Sequence, residues 1–205
     1  MSKAIFLGTF NPPHQGHRNV ILSVCDWYSK KHIIDLEQIF IIPCWQNPNK
    51  EYVTSYWDRY KMCLQEFYGA LPDYVLIDDI EAEIKPKYTY DLIKYFKSNK
   101  DLYIKDDFYW IITNETFNEL WDNKWYNSEW LLDNNRFILI EEDTDKTNWQ
   151  HYYDIDVHHV PLNASCGIHS TNIRNKFWNN TENYNQYLRQ GTKDYIIEHK
   201  LYINE

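Results

Sequence analysis

Ala4-Ile5-Phe6-Leu7-Gly8-Thr9-Phe10-Asn11-Pro12-Pro13-His14-Gln15-Gly16-His17 decides how the chain is read. Four apolar residues of strand length run into a loop of turn formers. From Gly16 onward Val20, Ile21, Val24 and Trp27 recur at intervals of three and four. The order is strand, tight loop, helix. The N–H groups that open a helix have no partner within it and carry partial positive charge, so such a junction attracts anions, phosphate above all. Gly8 lets the backbone approach a ligand closely, and Pro12-Pro13 stiffens the turn. His14 and His17, three apart and so on one face of a helical turn, would place two imidazole donors on one phosphate group.

Working outward, the same alternation repeats. Gln38–Pro43 is a continuous apolar run of strand length, Thr54–Tyr68 a helix whose apolar side is expected to be Trp57, Tyr60, Leu64 and Phe67, and Tyr74–Ile77 a short strand. An acidic connection, Asp78–Glu83, is expected to be solvated. Tyr88–Phe96 reads as a helix buried through Leu92, Ile93 and Phe96, and Phe108–Ile112 as a strand. Asn114–Leu132 is helical in pieces, Arg136–Ile140 a strand, Glu141–Tyr153 a polar excursion, and Ile155–Val160 alternates as an edge strand does. Helices are expected from about Ser170 and over Gly191–Lys200. Continuous apolar strands suit a parallel sheet covered on both faces, and strands alternating with helices give right-handed βαβ units. The expected fold is α/β: a doubly wound, Rossmann-like parallel sheet in three layers. In such a sheet ligands bind outside the carboxyl ends of the strands where the strand order reverses.

With 205 residues, 43% hydrophobic and 18% aromatic, the chain is expected to form a single domain over 1–205, with a C-terminal helical part at about 169–205. A net charge of -9 argues against nucleic-acid binding through a basic surface. No apolar run approaches the ~20 residues of a membrane helix, and the chain enters its first strand without a charged-then-apolar leader. Cys25, Cys44, Cys63 and Cys166 lack paired spacing, so reduced thiols and a cytoplasmic location are expected.

A second anion site is suggested by Gly167-Ile168-His169-Ser170-Thr171-Asn172-Ile173-Arg174. Ser170 or Thr171 is a good N-cap, Ile173 and Phe177 give the buried stripe, and Arg174 emerges one turn in, beside the free N–H groups. Together the two stretches resemble the signatures of the nucleotidyltransferase superfamily, a GTFDPxHxGH loop and an ISSTxIR helix start. They stand here as LGTFNPPHQGH and IHSTNIR. IIPCWQNPNK, KYTYDLI, WIITNETF, WYNSEWLL and YIIEHKLY extend the resemblance, in order, over nearly the whole chain. Within that superfamily the chain is most similar to bacterial nicotinate or nicotinamide mononucleotide adenylyltransferases.

The resemblance implies a reaction in which the mononucleotide phosphate attacks the α-phosphorus of ATP and pyrophosphate leaves. It implies His14, His17 and Arg174 as catalytic residues, with His17 stabilising the pentavalent centre. For ATP it implies Gly8, Thr9, Phe10, Gly16, Glu115, Ile168, Ser170 and Thr171; for the acceptor, Asn11, Lys50, Tyr88, Thr89 and Trp125, the base stacking on Trp125. Mg²⁺ would ride on the ATP phosphates and water, with no protein metal site. Small-molecule substrates and self-association are the implied partners. The sequence departs from the pattern at Leu7, which replaces the first Gly of the loop, at Thr113-Asn114-Glu115, which replaces Gly-x-Asp, and at His169, which replaces the first Ser of ISST. Another small phosphate acceptor, or a nucleotide-binding sensor without turnover, are the alternatives.

Blander readings cover the rest. A zinc site from His14, His17 and a cysteine lacks paired-ligand spacing. His158-His159 reads as an exposed strand pair, Trp121, Trp125 and Trp130 mostly as core packing, and no cysteine sits in a turn with a partner histidine.

Overall fold

The computed structural model describes residues 2–31, 34, 36–48, 54–99, 108–141, 155–164, 167–178 and 184–203. Six strands form one sheet: β1 (Ser2–Gly8), β2 (Leu36–Pro43), β3 (Val75–Ile77), β4 (Phe108–Thr113), β5 (Arg136–Glu141) and β6 (Val157–Pro161). Their order is β3-β2-β1-β4-β5-β6 and every pairing is parallel. The apolar runs are buried on both faces because helices cover both. α1 (Gln15–Lys31) and α2 (Tyr56–Phe67) lie on one side with the even-numbered side chains of β1 and the odd-numbered ones of β4. α3 (Ile80–Ile84), α4 (Thr89–Ser98), α5 (Asn114–Trp121) and α6 (Ser128–Asp133) lie on the other, against Ile5, Trp110 and Ile112. The alternation along one strand serves two cores, as a doubly wound, three-layer α/β fold requires. A third apolar cluster joins α7 (Ser170–Lys176) and α8 (Gln190–Glu198) to Met62 of α2.

Strand and helix positions follow the sequence pattern closely, including β6 at the sheet edge, but four expectations are overturned. The buried side of α2 is Tyr56, Arg59, Met62, Cys63, Glu66 and Phe67, while Trp57 is 52% exposed. Two charged residues occupy the inward stripe because each finds partners there. The acidic connection is not all solvated: it contains α3, and Glu81 is 4% exposed. The N-cap of α7 is His169, whose N–H donates to Asn172 Oδ1 at 3.3 Å, not Ser170 or Thr171. In β6, His158 turns inward between Trp27 and Tyr109, and only His159 is exposed, paired with Glu141 at 2.7 Å. Cys25, Cys44 and Cys63 are free thiols; Cys166 and most of the polar excursion 141–153 lie outside the described residues.

Candidate active site

Strand order reverses between β1 and β4, the two strands that pair at the centre of the sheet. Their carboxyl ends are Gly8 and Thr113, so the loop of His14 and His17 and the turn into α5 flank the crevice where ligands of such sheets bind. α1 opens on one side of it and α5 on the other, with their N-termini at this edge.

Within the first loop the histidines are organised by backbone donors. His14 Nδ1 accepts the Gly16 N–H and His17 Nδ1 accepts the His14 N–H, each at 3.1 Å. A neutral ring that accepts at Nδ1 carries its proton on Nε2, so both imidazoles are Nε2–H donors. Their centroids are 3.9 Å apart. Burial, then the charges of His169 and Arg18, lower the His14 pKa to about 3, so this donor stays neutral at physiological pH. Phe10, which the resemblance assigned to ATP, is 1% exposed and packs its ring on Phe6, His17 and Phe67. Its φ of 49° places a non-glycine residue in the left-handed region. Gly8 is required by the same ring: a Cβ there would stand 2.7 Å from Phe10 Cζ.

The second motif docks on the first. Ser170, relieved of capping, donates its hydroxyl to the Pro12 carbonyl at 2.9 Å, and Arg174 donates to the Asn11 carbonyl at 2.8 Å and toward Thr171 Oγ1 at 3.4 Å. Ile168 sends its side chain into the third core cluster. Asn11, expected at the acceptor, is instead 2% exposed, with Oδ1 taking the Tyr202 hydroxyl at 2.9 Å. Asn11 is thus a junction between the loop and the C-terminal helices.

Across the crevice, Tyr88 stacks on Tyr126 (4.5 Å, 22°) at the start of α4, where Thr89 is the first helical residue. The half-buried Trp125 lies against Trp110 and donates its indole N–H to Glu119 at 3.0 Å. Glu115 stands exposed in the first turn of α5, while Asn114 beside it is buried with no hydrogen-bond partner for either amide atom among the described residues. Lys50 lies outside the described residues.

Three charged residues escaped the sequence reading. Arg59, 1% exposed, donates to the carbonyls of Thr54 (2.9 Å), Thr9 (2.8 Å) and Trp45 (3.0 Å). Glu81 accepts the Trp45 N–H, and burial raises its pKa to about 8 against the smaller pull of that N–H and of Arg59. Glu66 receives Thr192 Oγ1 (2.6 Å), the Arg189 N–H (3.0 Å) and the Arg18 guanidinium, tying α1 and α8 to α2. Their signal was present: Arg59 and Glu66 fall three and ten positions after Tyr56, on one helical face. The polar character of those residues hid it.

Among the described residues no three His, Cys, Asp or Glu side chains converge as a metal-ligand set. The crevice edge carries donors, so it suits an anion. No helix among those residues is long and apolar enough to cross a membrane.

A family model described as cytidylyltransferase-like matches residues 5–176. The chain belongs to the cytidylyltransferase-like family. Among members of known name, a protein of Oceanobacillus iheyensis called "probable nicotinate-nucleotide adenylyltransferase" is 30% identical over 95% of this chain and 93% of its own length. One of the same name from Leptospira borgpetersenii is 26% identical over 97% of this chain and 95% of its own. The solved structure of the Plasmodium falciparum nicotinic acid mononucleotide adenylyltransferase, complexed with NaAD, superposes with a TM-score of 0.77. It covers 98% of this chain and 97% of that one at 21% identity, a likeness of fold. The family's order of motifs, loop first and arginine helix last, is the order that the contacts from Asn11 to Arg174 and from Pro12 to Ser170 bring together.

Proposed function

We propose that the protein transfers the adenylyl group of ATP to nicotinate or nicotinamide mononucleotide, giving deamido-NAD or NAD and pyrophosphate. The observation that carries this reading is the pair of Nε2–H imidazole donors, 3.9 Å apart at a helix N-terminus at the switch point, in a loop whose Asn11 carbonyl is held by Arg174. The names of the relatives favour the nicotinate form. A phosphate oxygen of the mononucleotide forms a bond to the α-phosphorus of ATP, the bond from that phosphorus to the bridging oxygen breaks, and pyrophosphate leaves with the electron pair. No protein nucleophile is needed; the demand is for in-line positioning and for donors where charge gathers.

His14 and His17 supply such donors to the α-phosphoryl group, and the low pKa of His14 means that it donates without titrating. Arg174, with the N–H groups of Ser170 and Thr171, holds the departing phosphates. The backbone of Gly8, Thr9, Phe10, Gly16 and Ile168 lines the nucleotide, Glu115 meets its ribose, and Lys50 adds a cation. Tyr88, Thr89 and Trp125 receive the pyridine ring. Magnesium would be brought by the substrate, held by ATP oxygens and water, where it would offset phosphate charge. Residues 1–205 work as one domain, and the free thiols and the substrates suit the cytoplasm.

The test is pyrophosphate release by purified protein with ATP, Mg²⁺ and each mononucleotide. His17→Ala should lower the rate at least ~100-fold with an unchanged circular dichroism spectrum. ATP binding without release from either mononucleotide would favour the sensor reading instead.

A further inference from the structure

Arg59 reaches the histidine loop from inside the core. Its three nitrogens donate to three backbone carbonyls: Thr54 at the start of its own helix, Thr9 in the histidine loop and Trp45 in the loop after β2. Glu81, from the opposite core, accepts the N–H of that same Trp45. One residue is therefore gripped by both of its backbone groups, from helices on the two sides of the sheet. Further bonds join the same two loops: Asn47 Nδ2 donates to Thr9 Oγ1 at 3.1 Å and the Cys44 N–H to the Gly8 carbonyl at 2.9 Å.

The Thr9 contact has a directional effect. In a trans peptide the C=O and the following N–H point opposite ways. Drawing the Thr9 carbonyl onto Arg59 turns the Phe10 N–H away from α2, and Phe10 itself is kept in the left-handed region by its buried ring. The left-handed conformation is one that a non-glycine residue such as Phe10 keeps only where its surroundings hold it.

We infer that Arg59 is a positioning residue for adenylyl transfer, holding with Glu81 the Thr9–Phe10 peptide and the Trp45 loop in the orientation that brings the two substrates into line. The guanidinium is suited to this because its donors fan out in a plane toward carbonyls in three directions, whereas a lysine ammonium offers its donors from one point. The kinetic part of the inference rests on the proposed adenylyl transfer; the structural part does not.

Two readouts on Arg59→Lys and Arg59→Met separate the possibilities, with Ile138→Val, a buried mid-strand change in β5, as the control for lost stability. Steady-state rates are taken per folded molecule, well below each melting temperature. Both Arg59 variants should lose at least ~10-fold in kcat while KM for either substrate stays within about threefold, and lysine should not rescue. The control should keep the parental kcat. Amide hydrogen exchange at Cys44 and Trp45, followed by NMR, should be at least ~10-fold faster in Arg59→Lys than in the parent. A kcat per folded molecule equal to the parent's, or unchanged exchange at these amides, overturns the inference. If the parent itself transfers no adenylyl group, the proposed function fails, and the exchange measurement still decides whether Arg59 holds the loops.

Discussion

Glu81→Gln should be silent in acid and stabilising in alkali. Burial is the main cause that carries this carboxyl from its ordinary 4.5 to about 8. The folded chain therefore keeps a proton between pH 4.5 and 8 that the unfolded chain gives up. Where the folded state holds more protons, stability falls as pH rises, so the favourable contribution is complete below about pH 4.5 and is lost as pH climbs to about 8. At about 1.4 kcal/mol per unit, the window amounts to ~5 kcal/mol, a large share of the 5–15 kcal/mol that holds a typical domain together. Glutamine has the same shape, still accepts the Trp45 N–H and does not titrate. The difference between variant and parent should start near zero at pH 4.5 and grow to several kcal/mol by pH 8.5, read from urea denaturation at half-unit steps. His14 acts in the opposite sense. Its folded pKa of about 3 lies below 6.5, so stability is lost as pH falls between these values, but it does so equally in both proteins and cancels. A difference that stays flat across the window refutes the account of Glu81.

Two further outcomes follow from the loop. Gly8→Ala drives a methyl to within 2.7 Å of the Phe10 ring, which cannot retreat among Phe6, His17 and Phe67; the melting temperature should fall by the equivalent of ~1–3 kcal/mol and the transfer rate should fall with it, so an unaltered melting curve would contradict the packing described. Tyr202→Phe keeps the ring but leaves the buried Asn11 Oδ1 without the hydroxyl, and should cost about 1 kcal/mol in urea denaturation; no measurable loss would mean that the bond is not formed in solution.

The sheet was legible because parallel strands covered on both sides must be apolar at consecutive positions, as Ile39-Phe40-Ile41-Ile42 and Phe137-Ile138-Leu139-Ile140 are. His14, His17, Ser170 and Arg174 were legible because the turns that present them are written in neighbouring residues. Arg59, Glu66 and Glu81 were not, because what makes their burial tolerable lies elsewhere in the chain: Thr9 is 50 residues from Arg59, Trp45 is 36 from Glu81 and Thr192 is 126 from Glu66. A local window sees only a charge that ought to face water. The same blindness shifted the inward side of α2 onto Trp57 and hid the bond from Tyr202 to Asn11.

The distances along the chain bear on how an active copy comes to exist. Pro12 is held by Ser170, Asn11 by Arg174 and by Tyr202, across 158, 163 and 191 residues. On the ribosome the histidine loop emerges well before Ser170, Arg174 and Tyr202, the three side chains that hold Asn11 and Pro12. A nascent chain that has passed α1 but not α7 holds both imidazoles and none of these bonds. The far side of the histidine loop is therefore braced only once α7 and Tyr202 have folded onto it.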